Sequence, residues 1–238
     1  LLAITNTLDS PLAKMADYCI FPRSGKELAI PATKTYVAQL MSIFMFSIDL
    51  ALSRGNNEFA QMRNSLYKAP KAFEETLNSL RSQIQRAAER FKDKSAIFLL
   101  GSGPNYATAL EGALKLKETC RIFAEGFATR EFLHGPMRLV DERTLMIIMA
   151  PSDEVEDAIR LGGSLRNFGA SVIFISEESC NATRLTEGSD ETFLVSSGLP
   201  KVFSPLLYVL PLQLFAYYTS ISKGLNPDKP EKLTKVVK

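Results

Sequence analysis

The sequence predicts an α/β protein in which parallel strands are flanked by helices. From residue 95 to residue 222, short apolar segments with strand character alternate with helical segments across short loops, which is typical of a doubly wound parallel sheet. The 238 residues are 46% hydrophobic and 23% charged, a balance that is ordinary for a globular protein and argues against disorder. The length alone allows one large domain or two small ones.

The first 70 residues contain two predicted strands, a short helix and a long helix. Strand segments cover residues 1–5 and 18–21, and a helix signal begins at Pro11. Residues 32–53 are predicted to form a long, mostly apolar helix. Because two strands and these helices cannot form a covered parallel sheet, we expect residues 1–70 to be the C-terminal part of a larger lobe that is incomplete at its N-terminus.

Residues 71–94 are predicted to form a connecting amphipathic helix. Apolar residues recur there every three or four positions, which places them on one face of a helix. They are Phe73, Leu77, Leu80, Ile84 and Ala88.

Residues 95–222 carry the strand–helix alternation itself. Predicted strands cover residues 96–100, 145–150, 171–176 and 192–195, and predicted helices cover residues 106–120, 155–167 and 206–222, with an apolar run at 121–127. The apolar stretch around the last helix is long enough to cross a membrane, but Pro205 and Pro211 favour a buried core helix. Residues 223–238 form a lysine-rich tail that we expect to be poorly packed.

Charge and cysteine content exclude several classes of protein. The 28 basic and 26 acidic side chains nearly balance, so a strongly basic nucleic-acid binder is not expected. The single histidine, His134, excludes a metal site with several histidine ligands. The cysteines, Cys19, Cys120 and Cys180, are odd in number and far apart, which argues against a disulfide framework or a zinc ribbon and favours a reducing, cytoplasmic location.

A short glycine motif, Gly101-Ser102-Gly103, lies between a predicted buried strand and the helix that follows it. A helix N-terminus of this kind can bind phosphate through its backbone N–H groups. The same motif is also what a tight strand-to-helix turn needs, and the sequence leaves both interpretations open.

The helix predicted at residues 106–120 places Glu111, Lys115 and Glu118 on one face, because they are four and three positions apart. Spacing alone favours a solvent-exposed ion pair over a functional cluster. His134 stands beside the chain-breaking Gly135-Pro136, in a loop where an imidazole can meet a substrate. The tail lysines suggest a solvated charge run, although a lysine folded into a site could act as a nucleophile.

Four separate motifs resemble the sugar isomerase (SIS) family. Residues 109–118 read ALEGALKLKE, residues 134–136 HGP, residues 211–217 PLQLFAY and residues 230–235 PEKLTK. Their order along nearly the whole chain is more specific than any one of them. Within the family they are similar to the isomerase part of glucosamine-6-phosphate synthases and to the related glucosamine-6-phosphate deaminases. The resemblance implies tandem SIS lobes and a homodimer with its site at the subunit interface.

The resemblance also implies three catalytic residues. Glu118 would be the base that moves a proton between C1 and C2 of the sugar, which needs one carboxylate that reaches both carbons. His134 would open the sugar ring as acid or base, reaching the site from the partner subunit. Lys235 would lie on a tail that closes over the sugar and would form a Schiff base with the open-chain ketose.

By the same resemblance, Lys115, Glu111, Ile30 and Ala32 would bind the substrate, Ile30 through its backbone. Neither a metal nor an organic cofactor is expected, because side chains supply the proton transfer and the Schiff base. The expected ligands are glucosamine 6-phosphate and fructose 6-phosphate, and neither a nucleic acid nor a membrane is expected as a partner.

Two departures from the synthase pattern favour the deaminase branch. Ala32 replaces the usual serine, and residues 131–133 read Glu-Phe-Leu instead of Glu-Leu-Lys. The sequence therefore predicts a hexosamine 6-phosphate isomerase/deaminase, which interconverts glucosamine 6-phosphate with fructose 6-phosphate and ammonia. The alternatives are the isomerase domain of a glutamine–fructose-6-phosphate aminotransferase and a sugar-phosphate-binding module without turnover.

Overall fold

Two parallel sheets organise the computed structural model, which describes residues 1–178, 182–196 and 198–236. Cys180, one of the cysteines used to infer a reducing compartment, lies outside these described residues. Helices flank the sheets, so the predicted α/β class is confirmed. The division of the chain into four parts and the tandem arrangement of two lobes stay predictions.

The N-terminal sheet is a parallel pair joined by a short helix. Strand β1 (Leu2–Ile4) pairs with β2 (Tyr18–Ile20), and α1 (Pro11–Met15) connects them. Proline opens α1, and the Ser10 hydroxyl accepts a hydrogen bond from the Ala13 N–H at 3.2 Å. These are the residue types that favour a helix start.

Helix α2 (Lys34–Ser53) is long and apolar as predicted, but it begins two residues later than expected. Thr33 has φ −130° and ψ −73°, which is not helical, so the chain is still turning there. Ile48 is the only residue of α2 that is fully buried within the described structure. It packs in a small core with Leu66, Ala69 and Phe203.

Within the described residues, two helices are long and apolar enough to cross a membrane by length and composition. In α2 only 6% of the apolar window is buried, whereas in Lys201–Ser222 the buried share is 72%. The second helix therefore has the burial expected of a core helix, as the sequence predicts.

Helices α3 (Ala60–Leu66) and α4 (Ala69–Phe91) lead to the second sheet. Helix α4 buries one stripe of small and apolar residues, namely Ala69, Ala72, Thr76, Leu80, Ile84, Ala87, Ala88 and Phe91. The predicted amphipathic helix is thus confirmed with one exception. Leu77 was expected in the apolar face, but it lies at its margin and is 37% exposed.

The second sheet has five parallel strands in the order β4-β3-β5-β6-β7. Its elements in chain order are β3 (Ala96–Gly101), α5 (Asn105–Cys120), β4 (Phe123–Ala128), α6 (Thr129–Phe132), β5 (Thr144–Met149), α7 (Val155–Asn167), β6 (Ser171–Glu177), α8 (Ala182–Glu187), β7 (Glu191–Val195) and α9 (Ser204–Ser222). The apolar run predicted at residues 121–127 is the edge strand β4. Arg121 ends α5 in the left-handed region at φ 55° and turns the chain into that strand.

The central strands β3, β5 and β6 bury both faces, because helices cover the sheet from two sides. In β3, Ile97 and Leu99 join the core formed with α4, α5 and α9, whereas Phe98 and Leu100 join the core on the opposite face. This two-sided burial explains why the central strands read as continuous apolar runs. Helix α9 packs against both α4 and α5 and so fixes the position of α5.

Candidate active site

Helix α5 carries the three charged residues that spacing places on one face. The Lys115 ammonium lies 2.6 Å from Glu118 Oε2 and 3.4 Å from Glu111 Oε1. The Lys115 side chain is only 4% exposed, and those of Glu111 and Glu118 are 10% and 21% exposed. The shared helix face predicted from spacing is therefore confirmed, and the prediction that this ion pair is solvent-exposed is wrong. The substrate-binding and catalytic roles that the resemblance implies stay predictions.

Because this cluster is buried, its positive and negative charges must compensate each other. A buried ammonium is tolerated when carboxylates pair with it, and Lys115 has two. Burial raises the pKa of Glu111 even though the Lys115 charge opposes the shift. Glu118 is the more exposed carboxylate, so it is the one that a substrate can reach.

Tyr36, a residue of α2, joins this cluster from the N-terminal part of the chain. Burial, and then the negative charge of Glu111, raise the pKa of the Tyr36 phenol to about 12. Sequence reasoning missed Tyr36 because no local motif marks it.

Glycines allow α5 to approach the sheet closely. A Cβ on Gly126 of β4 would lie 2.6 Å from the backbone of Ala109 and of Leu110. A Cβ on Gly112 would lie 2.7 Å from side-chain methyls of Leu99 and Leu212. The charged face of α5 is therefore positioned by close packing on its other sides.

The tail folds back onto the loop before α2. The Lys235 ammonium donates to the carbonyl oxygens of Ala29 at 2.8 Å and Ile30 at 3.0 Å. The Ile30 N–H donates to the Asp228 carbonyl at 2.9 Å. The structure thus brings Lys235 and Ile30 together, two of the residues that the sequence assigns to one site, and half-buried Ala32 follows two positions later.

Lys235 borders a cavity of about 910 Å³ at the ends of the first two strands. Thr5 and Asn6, which follow β1, and Arg23, which follows β2, also line it. Ligands of parallel sheets bind at the carboxyl ends of the strands. The tail, expected to be poorly packed, has mostly exposed side chains but docks through specific polar contacts.

Glu118 lines a different cavity, of about 460 Å³, between the end of α5 and the tail. Basic side chains of Lys117, Arg121, Lys229 and Lys232 border it as well. In the described residues no hydrogen bond or ion pair joins Glu118 to Lys235. The tail is therefore the element that lies beside both cavities.

His134 borders neither of these two cavities. It is exposed in the loop after α6, at the carboxyl edge of the second sheet, beside Leu133, Met137 and Phe168. Helix α5 starts at that edge and runs about 24 Å, at 1.5 Å per residue, to its other end near Glu118. Over the described part of the chain, His134 makes no hydrogen bond or ion pair with the predicted site residues.

The Gly101-Ser102-Gly103 motif forms a tight strand-to-helix turn. A Cβ on Gly101 would lie 2.2 Å from the Asn105 carbonyl oxygen, and Gly103 has φ 53°. The Ser102 hydroxyl donates to that of Thr129 at 3.2 Å. The steric interpretation of the glycines is confirmed, and phosphate binding stays a prediction.

Cys19 and Cys120, the cysteines among the described residues, are free thiols; Cys19 is half-buried and Cys120 is buried. Cys120 donates to the Ala216 carbonyl at 3.1 Å, and burial raises the pKa of its thiol to about 11. A thiol in such surroundings is inert, so Cys120 is a core residue.

Comparison with known proteins gives a family match and close relatives. The SIS domain family matches residues 90–223. The glutamine–fructose-6-phosphate aminotransferase (isomerizing) of Methanothermobacter thermautotrophicus is 36% identical over 237 residues, which are 99% of this chain and 38% of the relative. That of Buchnera aphidicola is 36% identical over 239 residues, with the same coverage. The chain thus spans less than two-fifths of these relatives.

Two solved structures with a similar fold also come from proteins that act on glucosamine 6-phosphate or fructose 6-phosphate by name. The C-terminal domain of glucosamine-fructose-6-phosphate aminotransferase from Francisella tularensis superposes with a TM-score of 0.89 at 27% identity, covering 96% of this chain and 65% of that one. The glucosamine-6-phosphate deaminase of Thermotoga maritima superposes with a TM-score of 0.74 at 28% identity, covering 99% of this chain and 66% of that one.

Proposed function

The chain belongs to the SIS domain family, and from that premise we propose that it is the isomerase part of a glutamine–fructose-6-phosphate aminotransferase. The observation that carries the proposal is the buried Lys115 ammonium paired with the reachable Glu118 carboxylate. The aminotransferase relatives, similar over 99% of the chain, support the same conclusion. From the sequence alone, this function is the first alternative to the predicted deaminase.

In the proposed reaction, Glu118 takes a proton from C1 of the open-chain fructose 6-phosphate imine and returns it at C2. The C1–C2 enamine formed between these steps becomes the aldehyde of glucosamine 6-phosphate. The ammonium of Lys115 fixes the Glu118 carboxylate in place during both transfers, so one base serves two neighbouring carbons.

Lys235 would act before that proton transfer. Its amine, once deprotonated, attacks C2 of the open-chain ketose, and water leaves as the Schiff base forms. Ammonia then displaces the lysine and leaves the imine of the sugar. Docking on Ala29 and Ile30 supports this role, because it holds the amine beside the cavity at the strand ends.

The remaining assignments complete the proposal. Glu111, Lys115, Ile30 and Ala32 would bind the sugar, and His134 of the partner subunit would open the ring. The substrates would be fructose 6-phosphate and glucosamine 6-phosphate, handled by a cytoplasmic homodimer without a cofactor and with neither nucleic acid nor membrane as a partner.

A deaminase is the second candidate. Ala32 and the Glu-Phe-Leu segment at residues 131–133 favour it, and the Thermotoga maritima deaminase is structurally similar. Both candidates need the same proton transfer, so they differ only in the source and fate of ammonia.

The first experiment uses the protein expressed from the complete gene. Incubation of fructose 6-phosphate with glutamine should yield glucosamine 6-phosphate, measured by mass spectrometry, whereas glucosamine 6-phosphate without glutamine should release little ammonia. Equal release of ammonia and fructose 6-phosphate in the second reaction would contradict the proposal and establish the deaminase. If neither reaction yields product but calorimetry still detects sugar-phosphate binding, the protein is instead a binding module without turnover.

A further inference from the structure

The loop between Glu27 and α2 is held at the end that leads into the helix. The Glu27 carboxylate oxygen Oε2 accepts hydrogen bonds from the Thr33 N–H at 3.1 Å, the Thr35 N–H at 3.1 Å and the Thr35 hydroxyl at 2.6 Å. One carboxylate thus bridges the residues on either side of the start of α2. We refer to residues 28–32, which lie between Glu27 and Thr33, as the strap.

Glu27 substitutes for a missing helix cap. Thr33, the residue before α2, makes no side-chain capping hydrogen bond of its own. The first N–H groups of a helix need an acceptor, and a carboxylate at this end also interacts favourably with the helix dipole. Glu27 therefore fixes both the start of α2 and the path of the strap.

The strap is the surface on which the tail docks. Ala29 and Ile30 accept the two hydrogen bonds from Lys235, and the Ile30 N–H binds the Asp228 carbonyl. All three contacts use backbone atoms of the strap. Their positions therefore depend on the conformation of the strap and not on its side chains.

Charge also couples Glu27 to the tail. Partial burial opposes ionisation of Glu27, but the hydrogen bonds from Thr35 and Thr33 and the positive charge of Lys235 together lower its pKa below the ordinary value. Glu27 and Lys235 border the same cavity at the strand ends.

We propose that Glu27 is a positioning residue for Lys235: its carboxylate fixes the strap in the conformation that presents the Ala29 and Ile30 carbonyls to the lysine. This role rests on the proposed function, since it gives a catalytic purpose to Lys235. Glu27 itself makes no hydrogen bond to Lys235 among the described contacts and acts through the backbone.

The test compares Glu27→Ala, Glu27→Gln and the control Glu74→Ala in the protein expressed from the complete gene. Glu74 is an exposed carboxylate on α4, and among the described residues it makes no hydrogen bond or ion pair with the tail or the strap. The first measurement is amide hydrogen exchange of residues 226–236 without substrate. Glu27→Ala should raise the exchange rate about tenfold, the change expected for roughly one net hydrogen bond. Glu27→Gln should stay near wild type, because its amide oxygen can still accept from Thr33 and Thr35.

The second measurement is borohydride reduction in the presence of fructose 6-phosphate, with the adduct located by peptide mass spectrometry. Wild type, Glu27→Gln and Glu74→Ala should be trapped at Lys235, and the yield per folded molecule should fall several-fold in Glu27→Ala. A general structural defect would lower the folded fraction in thermal melts without this selective loss.

The outcomes separate the two proposals. Absence of an adduct in wild type would contradict the role of Lys235 in the proposed function, while the exchange data would still test the link between Glu27 and the tail. If wild type is trapped at Lys235 but residues 226–236 of Glu27→Ala exchange their amide hydrogens at the wild-type rate, the role of Glu27 is overturned. If Glu27→Ala does not fold, Thr35→Val, which removes only the 2.6 Å hydrogen bond, should raise tail exchange, and no increase would overturn the role equally.

Discussion

At the scale of single residues, Lys115 shows how burial changes the meaning of a charge pattern. An exposed lysine paired with a glutamate on a helix contributes a few tenths of a kcal/mol. Here the ammonium is buried between two carboxylates, so removal of Lys115 would leave both carboxylates without their cation, which costs about 3–5 kcal/mol. Such an arrangement is costly for stability alone and favours a chemical role for the group.

The first prediction concerns Glu118. Glu118→Gln should keep sugar-phosphate binding but lower the isomerisation rate by about 10²–10⁴-fold, because an amide cannot act as the base. The amide oxygen can still accept from Lys115, so the cluster should remain folded.

Isotope exchange at C1 and C2 of the sugar phosphate, followed by NMR, measures the proton transfer directly. Glu125→Gln, an exposed carboxylate on the edge strand β4, is the matched control and should behave as wild type. Unchanged exchange in Glu118→Gln would remove Glu118 from the mechanism.

The sequence predicts the grouping of Glu111, Lys115 and Glu118 but not their burial. Helical spacing is local, so it places the three on one face from the chain alone. Their burial depends on α9, an element from a distant part of the sequence. Glu27 could not be found either, because its hydrogen bonds to Thr33 and Thr35 depend on how the loop before α2 folds.

At the scale of elements, the edge strand β4 and helix α5 pack closely enough for glycine to be required. At Gly126, an added Cβ would meet the backbone of Ala109 and Leu110, which cannot move without the helix. Because α5 carries Lys115 and Glu118, its distance from β4 bears directly on the proposed site.

The second prediction follows from this contact. Gly126→Ala should lower the free energy of unfolding by about 1–3 kcal/mol, the usual cost of overpacking. It should also lower the rate of isomerisation, since α5 must shift away from the sheet. Urea unfolding and steady-state rates measure the two effects.

Gly163→Ala is the control for an added methyl group. Gly163 lies within α7, and a Cβ there meets nothing within 4 Å. This substitution should leave activity unchanged and stabilise the protein by up to about 1 kcal/mol through helix propensity. Equal stability of Gly126→Ala and wild type would show that α5 is not held by this contact.

The long helices and the buried strands could be predicted in order from the sequence, whereas the short helices α3, α6 and α8 and several element ends could not. The buried faces of β3, β5 and β6 give apolar runs that identify strands without further information. Helix α2 begins at Lys34 because Glu27 binds the turn before it, a contact that helix periodicity does not reveal. The tail shows the same limit. Its composition predicts loose packing, whereas its contacts are with distant parts of the chain, namely the loop before α2 and Arg121 at the end of α5.

At the scale of the whole molecule, the strand order separates the proposed catalytic groups. Glu118 lies near the end of α5, whereas His134 follows β4 at the opposite edge of the sheet. Among the described residues of one copy of the chain, no hydrogen bond or ion pair joins the two. The resemblance implies that His134 reaches the site from a second subunit, and this sharing stays a proposal.

The last prediction tests this sharing between subunits. His134→Ala and Lys235→Ala subunits are co-expressed from complete genes with two different affinity tags, so that only mixed dimers are purified. Each parent dimer should be inactive, because both of its sites carry the same defect. In a mixed dimer one site takes intact His134 from one subunit and intact Lys235 from the other, so activity should recover to about half of wild type in a two-fold symmetric dimer.

The matched control is the mixed dimer of Glu118→Gln with Lys235→Ala. Both of these residues should serve the site of their own subunit, so each site in this dimer keeps one defect and activity should not recover. Recovery in both mixed dimers would mean that Glu118 and Lys235 come from different subunits, which would contradict the way the tail bridges the two cavities. A His134→Ala and Lys235→Ala mixture no more active than its parents would instead place His134 in the same site as Lys235 of its own chain, which would contradict the proposal that His134 comes from the partner subunit.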